Sequence, residues 1–523
     1  MRRLIWIHPL FFAWFAPMAL LSHNIEGAPP YLAVRTFLAV TIIALGLVLL
    51  FKGTGSTWAD SAFLSSLALM GSSVYGNLIQ LAGVPSAGPQ AARVHLFGIV
   101  VFIAFMALCR WLVRRTGRVG PGFHAFLAMV GGLSLAWNGI RVVMYEQLIS
   151  RPLALPSMTA DLGRYRPAHI PLETPDIYYI ILDGYGRDDV LERIYGLDNS
   201  AFLQRLQDWG FFVPRDAVSN YAQTSLSLAS SMNMSYLDDL EAFAGVGIPQ
   251  SEVARLFRHN EVVRVLRSWG YSIVAITIPY NRTRMPTADL SFEPVPQALN
   301  SFESLFVETS FLWSPLVIAR ETVTPFPFPG YAGRRETILA NFSTLMEAID
   351  LPGPKIVFAH LSVPHPPFIF GATGDPTSSP FPYRDQDGDQ FLGTTQDYLK
   401  GYADQVWFAN QLAIAFLDEL DAQGRSHDIV ILQGDHGPGS RLDWLDAGGS
   451  DLWERHSILN ALRIPGLADG ILDDSLSPVN TFRIIFNHLS GSSYPRLPDM
   501  SYFSSWKTPY SFLAVPGPDL RRK

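Results

Sequence analysis

The chain has 523 residues, too many for one ordinary core, so two or more units are expected. Only 16% of residues are charged, against roughly 25% in soluble domains, and 48% are hydrophobic. A net charge of −7 gives no reason to expect a nucleic-acid partner, and the single cysteine, Cys109, excludes an intrachain disulfide or a Cys-based metal site.

The charge deficit is concentrated before residue 150. A bilayer-spanning helix needs about 20 largely apolar residues, and five stretches qualify: 4–21, 31–51, 59–84, 94–112 and 123–145. Arg2 and Arg3 precede the first, Lys52 follows the second, and Arg110, Arg114, Arg115 and Arg118 follow the fourth. The connections 22–30 and 85–90 carry almost no positive charge, so the bias predicts a cytoplasmic N-terminus. Five spans then leave everything after Tyr145 outside, on a multi-pass protein of the cell (inner) membrane. Met-Arg-Arg before an apolar run also fits a signal peptide, with no clean small-residue cleavage site after it; the large domain stays outside on either reading. Arg35, Asp60, Arg93 and Arg141 at span edges read as snorkelling side chains.

Residues 1–147 are thus expected to form a transmembrane domain, and the proline-punctuated 148–174 a linker. Residues 175–510 alternate between strand-like and helix-like segments, and 511–523 form a tail. Strands are predicted at 177–182, 272–278, 355–361 and 428–433, and helices at 201–209, 251–269, 335–349, 402–422 and 479–488. Apolar strands without strict alternation, separated by amphipathic helices, predict an α/β sheet covered on both faces. Residues 305–319 are apolar but too short to span and contain Glu308 and Pro315. They read as a lid or lipid-gripping element, or as a buried connection.

The chemistry gathers where these strands end, the usual ligand-binding edge of an open α/β sheet. Ile177-Tyr-Tyr-Ile-Ile-Leu-Asp183-Gly184 ends on an acid, and Asp428-Ile-Val-Ile-Leu-Gln-Gly-Asp435-His436-Gly437 ends on an acid, an imidazole and a glycine that lets the backbone turn. Asp183, Asp435 and His436 offer oxygen and nitrogen ligands to a divalent metal. The Thr224 hydroxyl, opening a predicted helix, would complete that shell as an activated nucleophile, with helix N–H groups favouring an incoming phosphoryl group. His360 and His365 follow another strand, and His365 is held among prolines. His456 is a candidate to face the phosphate or a second metal, and Arg187 and Asn220 to hydrogen-bond phosphate oxygens.

Acid on the first strand, hydroxyl about forty residues on, and Asp-His far downstream resemble the alkaline phosphatase superfamily. Within it the chain is similar to membrane-anchored phosphoethanolamine transferases and lipoteichoic acid synthases, and Thr224-Ser-Leu-Ser227 resembles their Thr-x-x-Ser segment. The resemblance implies an N-terminal five-helix transmembrane bundle plus an extracytoplasmic alkaline-phosphatase-like α/β/α sandwich domain. It also implies one Zn²⁺ or Mn²⁺ on a threonine nucleophile, with a second metal possible, and a phospho-threonine intermediate. His360 and His365 would bind substrate; the donor would be a membrane phospholipid and the acceptor a glycan or glycolipid. Three departures stand out. Those transferases usually carry Glu where this chain has Asp183, their disulfides are impossible here, and Asp183-Gly-Tyr-Gly-Arg187 is closer to the Asp-Gly-Phe-Arg start of phosphodiesterases of the superfamily. A hydrolase using water as acceptor therefore stays open, as does a non-catalytic partner in envelope-polysaccharide assembly. Formylglycine sulfatases need Cys or Ser followed by x-Pro-x-Arg, a pentapeptide this chain lacks.

Overall fold

The computed structural model describes residues 7–85, 87–117, 119–165, 170–243, 250–322, 328–377 and 379–520. Arg2, Arg3 and Arg118, three of the charges used to orient the spans, lie outside the described residues. The chain forms two compact units: residues 1–147 with 295–334 and 379–383, and residues 148–294 with 335–378 and 384–523.

The first unit contains α1 (His8–Asn24), α2 (Val34–Gly53), α3 (Trp58–Leu81), α4 (Pro89–Thr116) and α5 (Pro121–Ile149). Among the described residues, α2 with the turn before it, α3, α4 and α5 are long and apolar enough to cross a membrane. Their outward faces carry exposed Leu38, Ile42, Leu49, Phe97, Ile103, Leu133 and Trp137, as a lipid-facing surface requires. Of the first expected span, 4–21, residues 4–6 lie outside the described residues. α1 is described over 17 residues, about 25 Å at 1.5 Å per residue, short of a ~30 Å hydrocarbon core. A further candidate comes from far downstream. Helices Ser301–Glu308 and Trp313–Thr322 meet at 87° and together pass the same test.

That bent pair occupies the segment expected to be a lid or a buried connection, and it packs within the first unit. Asn300 caps its first helix reciprocally with Glu303. Pro315 lies in the first turn of the second, where its missing N–H costs nothing. At the bend the Phe311 N–H donates to Ser72 O (3.1 Å), and its ring packs on Phe102 and Tyr75 at 4.5 and 5.0 Å. Arg35, expected to snorkel, forks instead onto Glu303 and the carbonyls of Pro296 and Ala298.

In the second unit, β1 (Ile177–Leu182), β2 (Ser272–Ile276), β3 (Leu290–Phe292), β4 (Lys355–Leu361), β5 (Ile429–Gln433) and β6 (Asn460–Arg463) form one sheet in the order β3-β2-β4-β1-β5-β6. All neighbours are parallel except β5 and β6. Every residue of β1, β4 and β5 is buried, which explains their continuous apolar runs. Because β1 lies between β4 and β5, the carboxyl ends of the three strands adjoin. The segment read as a linker contains a helix, Pro156–Tyr165. The single helix expected over 251–269 is two, Ser251–Arg258 and Glu261–Ser268, the second opened by Asn260 accepting from Val263 N.

Candidate active site and metal centre

Asp183 immediately follows β1, and the β1–β4 pairing continues past the strand: Asp183 N donates to Leu361 O and His365 N donates to Asp183 O, each at 3.0 Å. This backbone clasp holds the β4 exit loop, with His365, against Asp183. Gly184 then turns the chain at φ +75°, a left-handed value that favours glycine, and its N–H donates to Asp435 Oδ1 at 3.0 Å. Gly437 serves a purpose other than the expected turn. A Cβ there would lie 2.1 Å from Glu454 O, so the glycine is needed for close approach of two backbones.

Thr224 is the first residue of the helix Thr224–Asn233, whose N-terminus has no side-chain cap. Gln223 sends its amide to the carbonyl and hydroxyl of Ser504 instead, leaving the first-turn N–H groups uncapped by it. Ser227, three residues on and therefore on the same helix face, donates from Oγ to Asp435 O at 2.6 Å. The Thr-x-x-Ser spacing thus ties the Thr224 helix to the Asp-His loop.

The structure brings together Asp183, Thr224, His360, His365, Asp435 and His436. Thr224 Oγ1 is 3.0 Å from His436 Nε2. The same nitrogen is 3.4 Å from Asp435 Oδ2 and 3.6 Å from Asp183 Oδ1, and His360 Nε2 is 3.3 Å from Asp183 Oδ2. Two ligand sets share one carboxylate: Asp183, His365 and His436; and Asp183, His360 and Asp435. Asp183 Oδ1 and Asp435 Oδ2 are buried without a hydrogen-bond partner. Orphaned anionic oxygens of that kind are costly unless a cation faces them, so the residues fit a divalent metal. His436 Nδ1 lies 2.9 Å from Gly437 O; donating there fixes the tautomer and bares Nε2 as a ligand. Burial works to raise the Asp183 carboxyl, yet His365, His360 and His436 hold it well below the usual carboxylate range. Burial and Arg455 push the His436 imidazole down, towards the neutral form that binds metals.

Three other expected residues have different surroundings. His456 is fully buried; Nδ1 lies 3.1 Å from Ser219 Oγ and Nε2 has no partner. Burial pushes its pKa down to about 3, so the ring is neutral. Arg187 is not brought to the cluster as a phosphate donor. Its guanidinium is spent on a buried ion pair with Asp189 and on the carbonyls of Ala217 and Leu520. Asn220 likewise ties Ser477, Met500 and Val479 together, a scaffold role in place of the expected anion contact.

One pair had no signal in the sequence. Arg455, 1% exposed, donates to Asp387 Oδ2 and to the carbonyls of Ala222 and Gly437. It thereby joins the segment before Thr224 to the residue after His436. Its second terminal nitrogen is buried with no partner. Asp387 is 68 residues away in sequence, and no motif connects the two.

A central, mostly parallel sheet with carboxylates, imidazoles and a helix-opening hydroxyl at its carboxyl edge defines an alkaline-phosphatase-like α/β domain. The chain belongs to the sulfatase family, whose model matches residues 175–465. Among solved structures, it is similar to the C-terminal periplasmic domain of EcEptC from Escherichia coli in complex with Zn: 12% identity, 66% of this chain and 93% of that one, TM-score 0.39. It is also similar to the phosphonate monoester hydrolase of Agrobacterium radiobacter, with 14% identity over 63% and 80%, TM-score 0.40. A third is the C-terminal periplasmic domain of phosphoethanolamine transferase EptC from Campylobacter jejuni, with 11% identity over 61% and 91%, TM-score 0.37. No curated protein matches the chain.

Proposed function

We propose that this membrane protein is a metal-dependent transferase that moves a phospho-head-group from a phospholipid to a glycan or glycolipid hydroxyl through Thr224, outside the cytoplasm. The observation that carries it is the Thr224 hydroxyl within 3.0 Å of His436 Nε2, beside the orphaned oxygens of Asp183 and Asp435. Asp183, Asp435, His436 and Thr224 would hold the first divalent ion, Zn²⁺ or Mn²⁺. His360 and His365 complete ligand sets with Asp183, so a second ion has donors too. When bound, the metal supplies Lewis-acid polarisation and lowers the pKa of the hydroxyl.

The chain's own residues do the rest. Ser227 and Arg455 fix the helix start against the Asp-His loop, so Thr224 Oγ1 is held in place before substrate arrives. In the first half-reaction, Oγ1 forms a bond to phosphorus as the bond from phosphorus to the lipid alcohol breaks, and the threonine proton ends on the departing alcohol. In the second, an acceptor oxygen bonds to phosphorus, the Oγ1–phosphorus bond breaks, and the acceptor's proton returns to Thr224. The uncapped first turn of the helix favours the negative charge on the phosphoryl oxygens.

The decisive experiment is intact-mass analysis of the full chain after incubation with phospholipid vesicles. An adduct of the head-group mass on Thr224, absent in Thr224→Ala and discharged by an added glycan or glycolipid acceptor, is the expected result. Discharge as fast without acceptor establishes hydrolysis, and no adduct in any lipid defeats the threonine route.

A further inference from the structure

Two glutamines meet beside Thr224. Gln223, the residue before it, and Gln250, which precedes the helix Ser251–Arg258, are each 1% exposed. Gln250 is held at φ +60°, a left-handed value that a residue with a Cβ rarely adopts. Its side chain does not cap its own helix but reaches across to the Thr224 helix. Nε2 donates to Gln223 Oε1, and Oε1 accepts from Ser225 Oγ, both at 3.1 Å. Gln250 therefore grips the residue on either side of Thr224. The helix it opens is anchored farther along, where Arg255 donates to the carbonyls of Arg151 and Pro152 at 3.0 and 2.8 Å.

The direction of each bond is fixed by chemistry. Arg282 donates through Nη1 to Gln250 Oε1, and a guanidinium can only donate, so an oxygen must face it. Gln250 Nε2 then faces Gln223, which must present Oε1. That leaves Gln223 Nε2 to donate to Ser504 O at 2.9 Å, a carbonyl that can only accept. Neither amide can flip without setting two donors or two acceptors against each other. Arg282 itself packs its guanidinium on the rings of Tyr280 and Trp506, 4.7 and 4.9 Å from their centroids.

We infer that Gln250 is a positioning residue for the Thr224 nucleophile, acting through Gln223 and Ser225 rather than on the reacting atoms. The inference rests on the threonine route proposed above. A hydroxyl on the first residue of a helix has no preceding helical turn to fix it. The clamp on both flanking residues therefore decides where Oγ1 points before substrate arrives. A strained backbone beside a reacting group persists only when its surroundings over-determine it, and the bonds to Gln223, Ser225 and Arg282 do so here.

Two variants of the full chain in detergent test it. Gln250→Glu keeps the shape and both acceptor bonds but cannot donate to Gln223. Gln250→Gly removes every side-chain bond while suiting the left-handed backbone. Hydrogen exchange of the peptide spanning 222–228 is expected to speed up in both. Bound metal should stay at the parental value in both, and the unfolding temperature in Gln250→Glu. Adduct formation on Thr224 is then followed in mixed micelles of equal phosphatidylethanolamine and phosphatidylglycerol at rising lipid content. The rate at saturating lipid should fall about tenfold in Gln250→Glu, the size of one buried hydrogen bond, and about 100-fold in Gln250→Gly. Half-saturation should not move. Unchanged exchange overturns the clamp, and faster exchange with an unchanged saturating rate overturns its role in positioning. A rate loss in Gln250→Glu matched by lost metal or a lower unfolding temperature marks a merely structural residue and overturns it as well. Faster exchange beside a parent chain that forms no adduct leaves the clamp standing and defeats the threonine route instead.

Discussion

Asp183 is the side chain on which the candidate centre turns, because both ligand sets use it. Asp183→Asn keeps shape and removes charge, so bound divalent metal, measured by elemental analysis, should fall below one ion per chain. Asp435→Asn should spare the His365–His436 set and reduce the metal only in part. Ser227→Ala tests positioning: it deletes the bond to Asp435 O without touching a ligand, so metal affinity should drop about 10-fold or more, as for other outer-shell partners. Arg455 and Asp387 make a different prediction. Breaking a buried ion pair leaves a charge uncompensated, so Asp387→Asn should cost about 3–5 kcal/mol in denaturant unfolding. Burial raises the Asp387 carboxyl, but Arg455 and His365 outweigh it and hold it below the usual 3.8. Its contribution is therefore complete above that value and lost as pH falls towards the depressed one. The gap between parent and Asp387→Asn should narrow only on the acid side of pH 3.8. Asp183, Thr224, Asp435 and His436 were legible because each closes or opens an element with an apolar signature. Arg455–Asp387 was not, since a long-range ion pair leaves no period in the chain. Arg187 and Asn220 misled for the converse reason: a donor near a motif says nothing of the carbonyls and carboxylates already claiming it.

At the scale of elements, the strands on either side of the site were readable to the residue because both of their faces are buried. β1 and β4 coincide with the apolar runs at 177–182 and 355–361. β3 escaped because three residues carry too little pattern to separate from loop. The bent pair is more instructive. Its apolar run is interrupted by the turn at Thr309–Leu312, so no single window reaches spanning length, and only the meeting with α3 and α4 reveals its partners. That meeting depends on Gly76. Gly76→Val would force the α3 backbone from Thr309 O, against which even a methyl would sit at 2.1 Å. Overpacking of this kind costs about 1–3 kcal/mol or more. The expected outcome is a lower unfolding temperature of the full chain in detergent, with metal content unchanged. An unaltered unfolding curve would mean that the pair does not need α3.

For the molecule as a whole, the linear order of domains hides an exchange. Residues 295–334 depart from the middle of the second unit's sequence yet belong to the first. A fragment beginning at residue 148 keeps this excursion but loses α3 and α4, so Phe302, Phe306, Phe311 and Trp313 are left without the bundle surfaces they pack near. Such a patch binds detergent or aggregates. The remedy can be read from the backbone. A Cβ on Gly333 would fall 2.2 Å from Leu299 O, so the two ends of the excursion touch. Replacing residues 300–332 by two or three Gly-Ser residues, each spanning at most ~3.6 Å, should therefore close the gap without moving β2 or β4. The shortened fragment is expected to be monodisperse by light scattering without detergent and to bind divalent metal as the full chain does. The uncut fragment is expected to require detergent. Equal solubility of the two would show that the excursion folds onto the second unit by itself. Loss of metal from the shortened form alone would show that the excursion supports the strand ends on which the site is built.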